Sequence, residues 1–370
     1  MMSNKMRFLQ TALLAAVVPA LVAALSLTVA AQGAPAQGAA PAAAPAGPAP
    51  KPTGPGAIGV GILHLNVASI DKSLAFYRDV LGFEVTNPPA APRPNTGLVN
   101  EPGALIRTTI IKQPGGPFSM ELVEWTGIPV TPQRPRIYDG GGVMLAMAVR
   151  DLDGKLAASK RLGLKVLTRD EVPFVNEGRN GVRGRAIMIQ DPDGFVVEFT
   201  DSSAPNPNAL PGPIQSVATW ISVVDLARTV DFYNKVLGFT MMAPNPANPA
   251  NERMKALFQN QAAIASQRAA RGTFPGSELQ INFQEFSGPT DRRTVSHRVQ
   301  DPGGPIFTLT VQGFPEVIAA VKANGGTVGV GKTSETLAAG ARASWVRDPN
   351  GMLLRLSLPN PPRAGGPARQ

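Results

Sequence analysis

An internal duplication constrains this chain more than any other feature. The segment HLNVASIDKSLAFYRDVLGF, starting at His64, matches WISVVDLARTVDFYNKVLGF, starting at Trp220, at an offset of 156 residues, and both carry F-Y-x-x-V-L-G-F. Farther on, Asp191-Pro192-Asp193-Gly194 matches Asp348-Pro349-Asn350-Gly351 at an offset of 157, so the register holds through a whole block. A period this long makes each copy a domain. With 370 residues, 43% hydrophobic and 16% charged, the chain can fill two ordinary cores. The copies are expected at 57–202 and 213–358, with a linker at 203–212 (SAPNPNALPG) and a Pro-rich flexible tail at 359–370.

Each copy runs through two rounds of strand, helix and further strands. In the first, alternation predicts strands at 58–67, 105–112 and 118–125 around a helix at 71–81. A second round follows, with a strand at 143–149, a helix at 152–162, a weak strand at 164–167, and strands at 184–190 and 194–200. The second copy repeats this with strands near 216–224, 280–286, 305–311, 343–346 and 352–357 and helices near 226–237 and 315–324. The fold class is therefore α+β, each round being a strand, one helix and further strands.

The N-terminus reads differently. Lys5 and Arg7, an apolar stretch from Leu13 to Val29, and Val29-Ala30-Ala31 form a signal peptide over 1–31 with cleavage near Ala31, which predicts a periplasmic or secreted protein. The alternative is an N-terminal membrane anchor; after cleavage no stable membrane insertion is expected. Residues 32–56 hold 9 Ala, 7 Pro and 5 Gly among 25 positions, the composition of a disordered Ala/Pro linker. A net charge of +9 from scattered Arg, with 6% aromatics, gives no basic stripe and argues against nucleic acid. Zero cysteine excludes disulfides, thiol catalysis and Cys-ligated metal.

The F-Y-x-x-V-L-G-F helix after an alternating strand, with the D-P-[DN]-G turn before the last strand, resembles the vicinal oxygen chelate superfamily, which includes glyoxalase, fosfomycin-resistance enzymes, extradiol dioxygenases and bleomycin-binding proteins. The resemblance spans nearly all of 57–358. It implies paired β-α-β-β-β units that form two tandem glyoxalase-like domains with curled sheets around open cavities, and four cavity positions for metal ligands, in the first and last strand of each unit. In the first copy these are His64, Glu121, Met144 and Glu198. The resemblance thus implies a divalent metal (Mn, Fe, Ni or Zn) on His64, Glu121 and Glu198, with Met144 completing the ring although its thioether is a poor ligand for such ions. In the second copy the positions hold Trp220, Asn282, Ile306 and Arg355, which form no metal site; Trp220, Asn282 and Arg355 are candidates for lining a ligand cavity.

Strand alternation independently turns His64, Glu121, Met144 and Glu198 away from the helix-packed face. Two carboxylates converging near one imidazole would call for a cation, a proton or an Arg. Phe76, Tyr77, Phe232 and Tyr233 read as helix-to-sheet packing, the two D-P-x-G segments as tight turns, and His297 as a loop residue. Two functions stay open. One is a secreted metal-dependent isomerase, lyase or dioxygenase on a small vicinal-oxygen substrate, with Glu121 and Glu198 as catalytic proton carriers, as the resemblance to glyoxalase implies. The other is a metal-free periplasmic protein that binds a small antibiotic-like or aromatic molecule; a purely structural or partner-binding module is a third, weaker reading.

Overall fold

The computed structural model describes residues 49–95, 99, 101–178, 181–207, 209–258, 264–329 and 343–359. The expected signal peptide, most of the Ala/Pro linker and nearly all of the tail lie outside the described residues. Four modules follow one another. The first holds β1 (Gly56–Val67), α1 (Ile70–Tyr77), β2 (Glu84–Asn87), β3 (Arg93–Pro94), β4 (Leu105–Lys112) and β5 (Ser119–Thr126). The second holds β6 (Val143–Val149), α2 (Leu152–Arg161), β7 (Phe174–Glu177), β8 (Arg183–Gln190) and β9 (Val196–Ser202). In the third are β10 (Ile214–Ser222), α3 (Leu226–Leu237), β11 (Asn248–Pro249), α4 (Glu252–Phe258), β12 (Ser266–Thr273) and β13 (Gln280–Ser287). The fourth consists of β14 (Pro305–Gln312), α5 (Phe314–Ala323), β15 (Thr327–Val328), β16 (Ala343–Arg347) and β17 (Leu353–Ser357).

Sheet pairing crosses the two sequence copies. One sheet runs β15-β16-β17-β14-β1-β5-β4-β2, so the first module joins the fourth through the antiparallel pair β1–β14. The other runs β11-β12-β13-β10-β6-β9-β8-β7, so the second joins the third through β6–β10. Core aromatics join the modules of one copy, although α3 also touches β1, and α4 touches β7 and β8, across the copies. Phe76 of α1 stacks on Phe199 of β9 at a centroid distance of 6.4 Å, and Phe274 stacks on Phe307 of β14 at 5.7 Å. These rings belong to one apolar cluster that draws residues from all four modules. The modules of one copy thus meet in the core, while each sheet is shared between copies.

The repeated motifs hold the modules of one copy together. Tyr77 donates its hydroxyl to Asp191 Oδ2 (2.9 Å), and Asp191 Oδ1 accepts the N–H groups of Asp193 (2.9 Å) and Phe195 (2.8 Å). Tyr233 repeats this with Asp348 Oδ2 (3.3 Å), whose Oδ1 accepts from Asn350 and Met352 (2.9 Å each). Gly194 and Gly351 close the two turns at φ 90° and 83°, a region where a side chain would be strained. Burial, with the nearby Asp193 charge, pushes Asp191 up to about 7.

The connectors before β6 and β14 also exchange bonds: Thr131 N–H donates to Asp301 (2.8 Å) and Arg293 N–H to Asp139 (3.0 Å). Three expectations change. The first helix stops at Tyr77, and the chain turns through 78–81 before Gly82. Segment 164–167 makes only an isolated bridge, Val166 to Ile189. Patterning missed α4 and β12, because SQRAARGT is polar and small-residue rich and so lacks a strand's apolar alternation.

Candidate functional site

Each sheet presents one face to the helix-packed core and the other to a chamber. In the first chamber, β1 is the central strand. His64 lies opposite Glu121 on the parallel neighbour β5 and opposite Ile306 on β14. Its Nδ1 meets Glu121 Oε2 at 2.7 Å, and both side chains keep about a fifth of their surface exposed (19% and 21%). Burial acts to raise the Glu121 pKa, but the His64 hydrogen bond and charge, the Thr108 hydroxyl and the Arg355 charge outweigh it and hold the carboxyl below its ordinary value. Glu121 is therefore an ionised acceptor that fixes the orientation of the imidazole ring.

A second row crosses the fourth module's strands. Trp345 on β16 pairs with Arg355 on β17, which in turn sits in register with Thr308 on β14. The Arg355 guanidinium carbon lies 6.0 Å from the Trp345 ring centroid. Thr308 abuts the side-chain-free Gly61 of β1, where the strand bulges between Val60 and Leu63. The apolar flank is a separate buried cluster that includes Ile106, Trp125, Val299 and Leu353.

The second chamber is filled by the chain itself. Met144 on β6 faces Trp220 on β10, Trp220 faces Asn282 on β13, and Glu198 on β9 sits beside Ala146. The short helix α4 covers them: Met254, Leu257 and Phe258 enter a buried cluster with Met144, Met188 and Phe286. Arg253 of α4 forms a buried ion pair with Glu198, the two being 8% and 4% exposed. Burial raises the Glu198 pKa, and the Arg253 charge opposes the rise. Asn282 spends its amide on the Thr219 carbonyl (3.2 Å), and the Arg271 guanidinium lies 5.9 Å from the Trp220 ring.

The expected constellations are therefore not brought together as expected. His64 and Glu121 meet, but Glu198 and Met144 stand in the other sheet, because the free edge of β1 pairs with β14 rather than with a strand of its own copy. The second copy's set is split in the same way, Trp220 and Asn282 lining one chamber and Ile306 and Arg355 the other. The donor chemistry does not fit the implied three-ligand metal centre. Where the fourth module faces the His64–Glu121 pair it supplies the aliphatic Ile306 and a guanidinium, while Glu198 is neutralised by Arg253. Among the described residues no group of three His, Cys, Asp or Glu is placed to hold a metal ion. His297 lies in the loop before β14, as expected of it, yet it is buried and its ring packs against Gly304.

Sequence reasoning missed Trp345, Thr108 and Arg253. Trp345 was within reach, since the hairpin is centred on Asn350 and Trp345 and Arg355 lie equally far from it on the two strands. Arg253 sits in a stretch between β11 and β12 that carries no repeat signal.

The family model described as Glyoxalase/Bleomycin resistance protein/Dioxygenase superfamily matches residues 59–199 and 214–356. Among solved structures, glyoxalase I from Zea mays is similar over 82% of this chain and 92% of its own at 16% identity, with a TM-score of 0.49. A putative dioxygenase from Bacillus subtilis is similar over 84% and 88% at 12% identity, TM-score 0.47. The fosfomycin resistance protein FosX from Listeria monocytogenes is similar over 40% of this chain and 94% of its own at 15% identity, TM-score 0.27. No curated protein matches. The match to both halves of the duplication, together with paired β-α-β-β-β modules and curled sheets, places this chain in the Glyoxalase/Bleomycin resistance protein/Dioxygenase superfamily.

Proposed function

We propose that this chain is an exported small-molecule-binding protein of the superfamily, working from its first chamber without a three-ligand metal centre. One observation carries the reading: the fourth module places Ile306 and Arg355 where a metal site would need donors, and the Arg355 charge already favours the ionised form of Glu121. A cation bound at the pair would have to share Glu121 with that guanidinium, so the positive charge the site wants is supplied by the protein. An incoming polar ligand would meet the imidazole, the guanidinium and the Trp345 ring together. The second chamber has no such role in this reading, because α4 and the Glu198–Arg253 pair fill it.

The competing reading, a metal-dependent enzyme, rests on the His64–Glu121 pair. Titration calorimetry of the full chain separates the two, using manganese, iron(II), nickel and zinc in turn after EDTA dialysis. The proposal expects no stoichiometric binding that His64→Ala abolishes. Tight one-to-one binding of any of these ions, lost in His64→Ala, would overturn it in favour of the enzyme.

A further inference from the structure

Two buried polar atoms on the first chamber's wall have no hydrogen-bond partner: the Thr308 hydroxyl and the Trp125 indole Nε1. Their residues are only 8% and 6% exposed, and a buried polar group left unpaired is costly. Thr308 lies in register beside Arg355, whose guanidinium is in no ion pair among the described residues. Trp125 lies farther along β5, on the face it shares with Glu121. An indole N–H and a guanidinium can only donate, and a hydroxyl can donate, so the unmet demand of this wall is for acceptor oxygens.

The neighbouring surfaces narrow the class further. Trp345 is a flat apolar wall, and at 6.0 Å the guanidinium lies at the outer edge of cation–π range, leaving the ring room for a second planar group. The Glu121 carboxylate, held on His64 at 2.7 Å, faces the same chamber, so a dianion would be repelled where a monoanion is accepted. Gly61, opposite Thr308, contributes no side chain to that part of the floor.

Resting on the reading that the first chamber is the binding site, we propose that its ligand is a small planar monocarboxylate, with its carboxylate on Arg355 and Thr308 and its flat body along Trp345. The guanidinium gives a fork that a carboxylate matches with two parallel bonds, and the adjacent hydroxyl adds a third donor. Planarity follows from the ring beside the fork, and single charge from Glu121.

The test uses the full chain with four probes: benzoate, benzamide, cyclohexanecarboxylate and phenyl phosphate. Binding is read by calorimetry and by the indole N–H signals of Trp125, Trp220 and Trp345 in nitrogen-15 spectra. Benzoate should bind at least tenfold more tightly than each of the other three and should move Trp125 and Trp345 while Trp220 stays still. Arg355→Gln should remove the preference for benzoate over benzamide. Thr308→Val, which keeps the shape of a buried and unpaired side chain and so preserves the fold, should weaken benzoate about three- to tenfold. If benzamide, cyclohexanecarboxylate or phenyl phosphate moves the same two indoles as tightly as benzoate, the ligand class is wrong and the chamber reading stands. Benzoate affinity unchanged in both variants would likewise overturn the class. If no probe moves Trp125 or Trp345, or only Trp220 responds, both readings fall.

Discussion

Arg253→Met is the sharpest test of the claim that α4 closes the second chamber on a buried ion pair. Methionine keeps most of the side chain's volume in a cluster already containing Met144, Met188 and Met254, so the change is mainly electrostatic. Glu198 is 4% exposed and would be left without its counter-charge, which costs about 3–5 kcal/mol when one partner of a buried pair is removed. Replacing both partners, as in Glu198→Leu with Arg253→Met, should return stability to within about 1 kcal/mol of the parent or above it. The pH dependence follows from the direction of the Glu198 shift. Burial already holds its pKa above the ordinary 4.5, and losing Arg253 raises it further. A raised folded value means stability is fully present below about 4.5 and lost as pH rises through the folded value, so the penalty in Arg253→Met should be small near pH 4.5 and larger at pH 7. Urea unfolding followed by circular dichroism at both pH values reads it. A single-variant cost below about 1 kcal/mol at pH 7, or the same cost at both pH values, would show that the pair is hydrated and the chamber open.

Three further outcomes can be checked on the same protein. Asp191, pushed up to about 7 by burial, should make the parent lose stability as pH rises from about 4 through 7; Asp191→Asn should flatten that part of the curve, and Tyr77→Phe should cost about 1–2 kcal/mol in urea midpoint measurements. The His297 pKa, lowered to about 4 by burial and the nearby Arg347 charge, should be found by proton NMR titration well below 6.5, and the protein should lose stability as pH falls from about 6.5 through 4. Intact-mass measurement of the exported protein should find its N-terminus at Gln32; a mature chain still beginning at Met1 and sedimenting with membranes would favour an anchor.

Local order was legible because it is written in periodicity. The strand carrying His64, the helix carrying Phe76 and Tyr77, and the hairpin closed by Asp191–Gly194 each follow from apolar spacing and turn chemistry, and each recurs at the copy's offset. The pairing of β1 with β14 was not legible. β1 has one edge taken by its own module's last strand, β5, and alternation fixes which way His64 faces without fixing which strand fills the other edge. For that reason the orientation of Glu198 was readable while its partner was not. Arg253 was hidden for a second reason: its seven-residue helix lies in a stretch without a repeat, held by tertiary contacts with Phe286 and Met188 rather than by its own periodicity.

Cysteine cross-linking tests most directly which residues share the first chamber, and the chain's lack of native cysteine makes it clean. Gly59 pairs with Thr310 across β1 and β14, and a side chain at Gly59 meets nothing within 4 Å. Directly opposed residues in an antiparallel pair lie about 4.5–5.5 Å apart, inside the range a disulfide spans. Mild oxidation of Gly59→Cys with Thr310→Cys should join the two peptides within one chain, as seen by mass spectrometry after proteolysis, whereas His64→Cys with Glu198→Cys should give no link. A 64–198 link without a 59–310 link would return His64, Glu121 and Glu198 to one site and contradict the account.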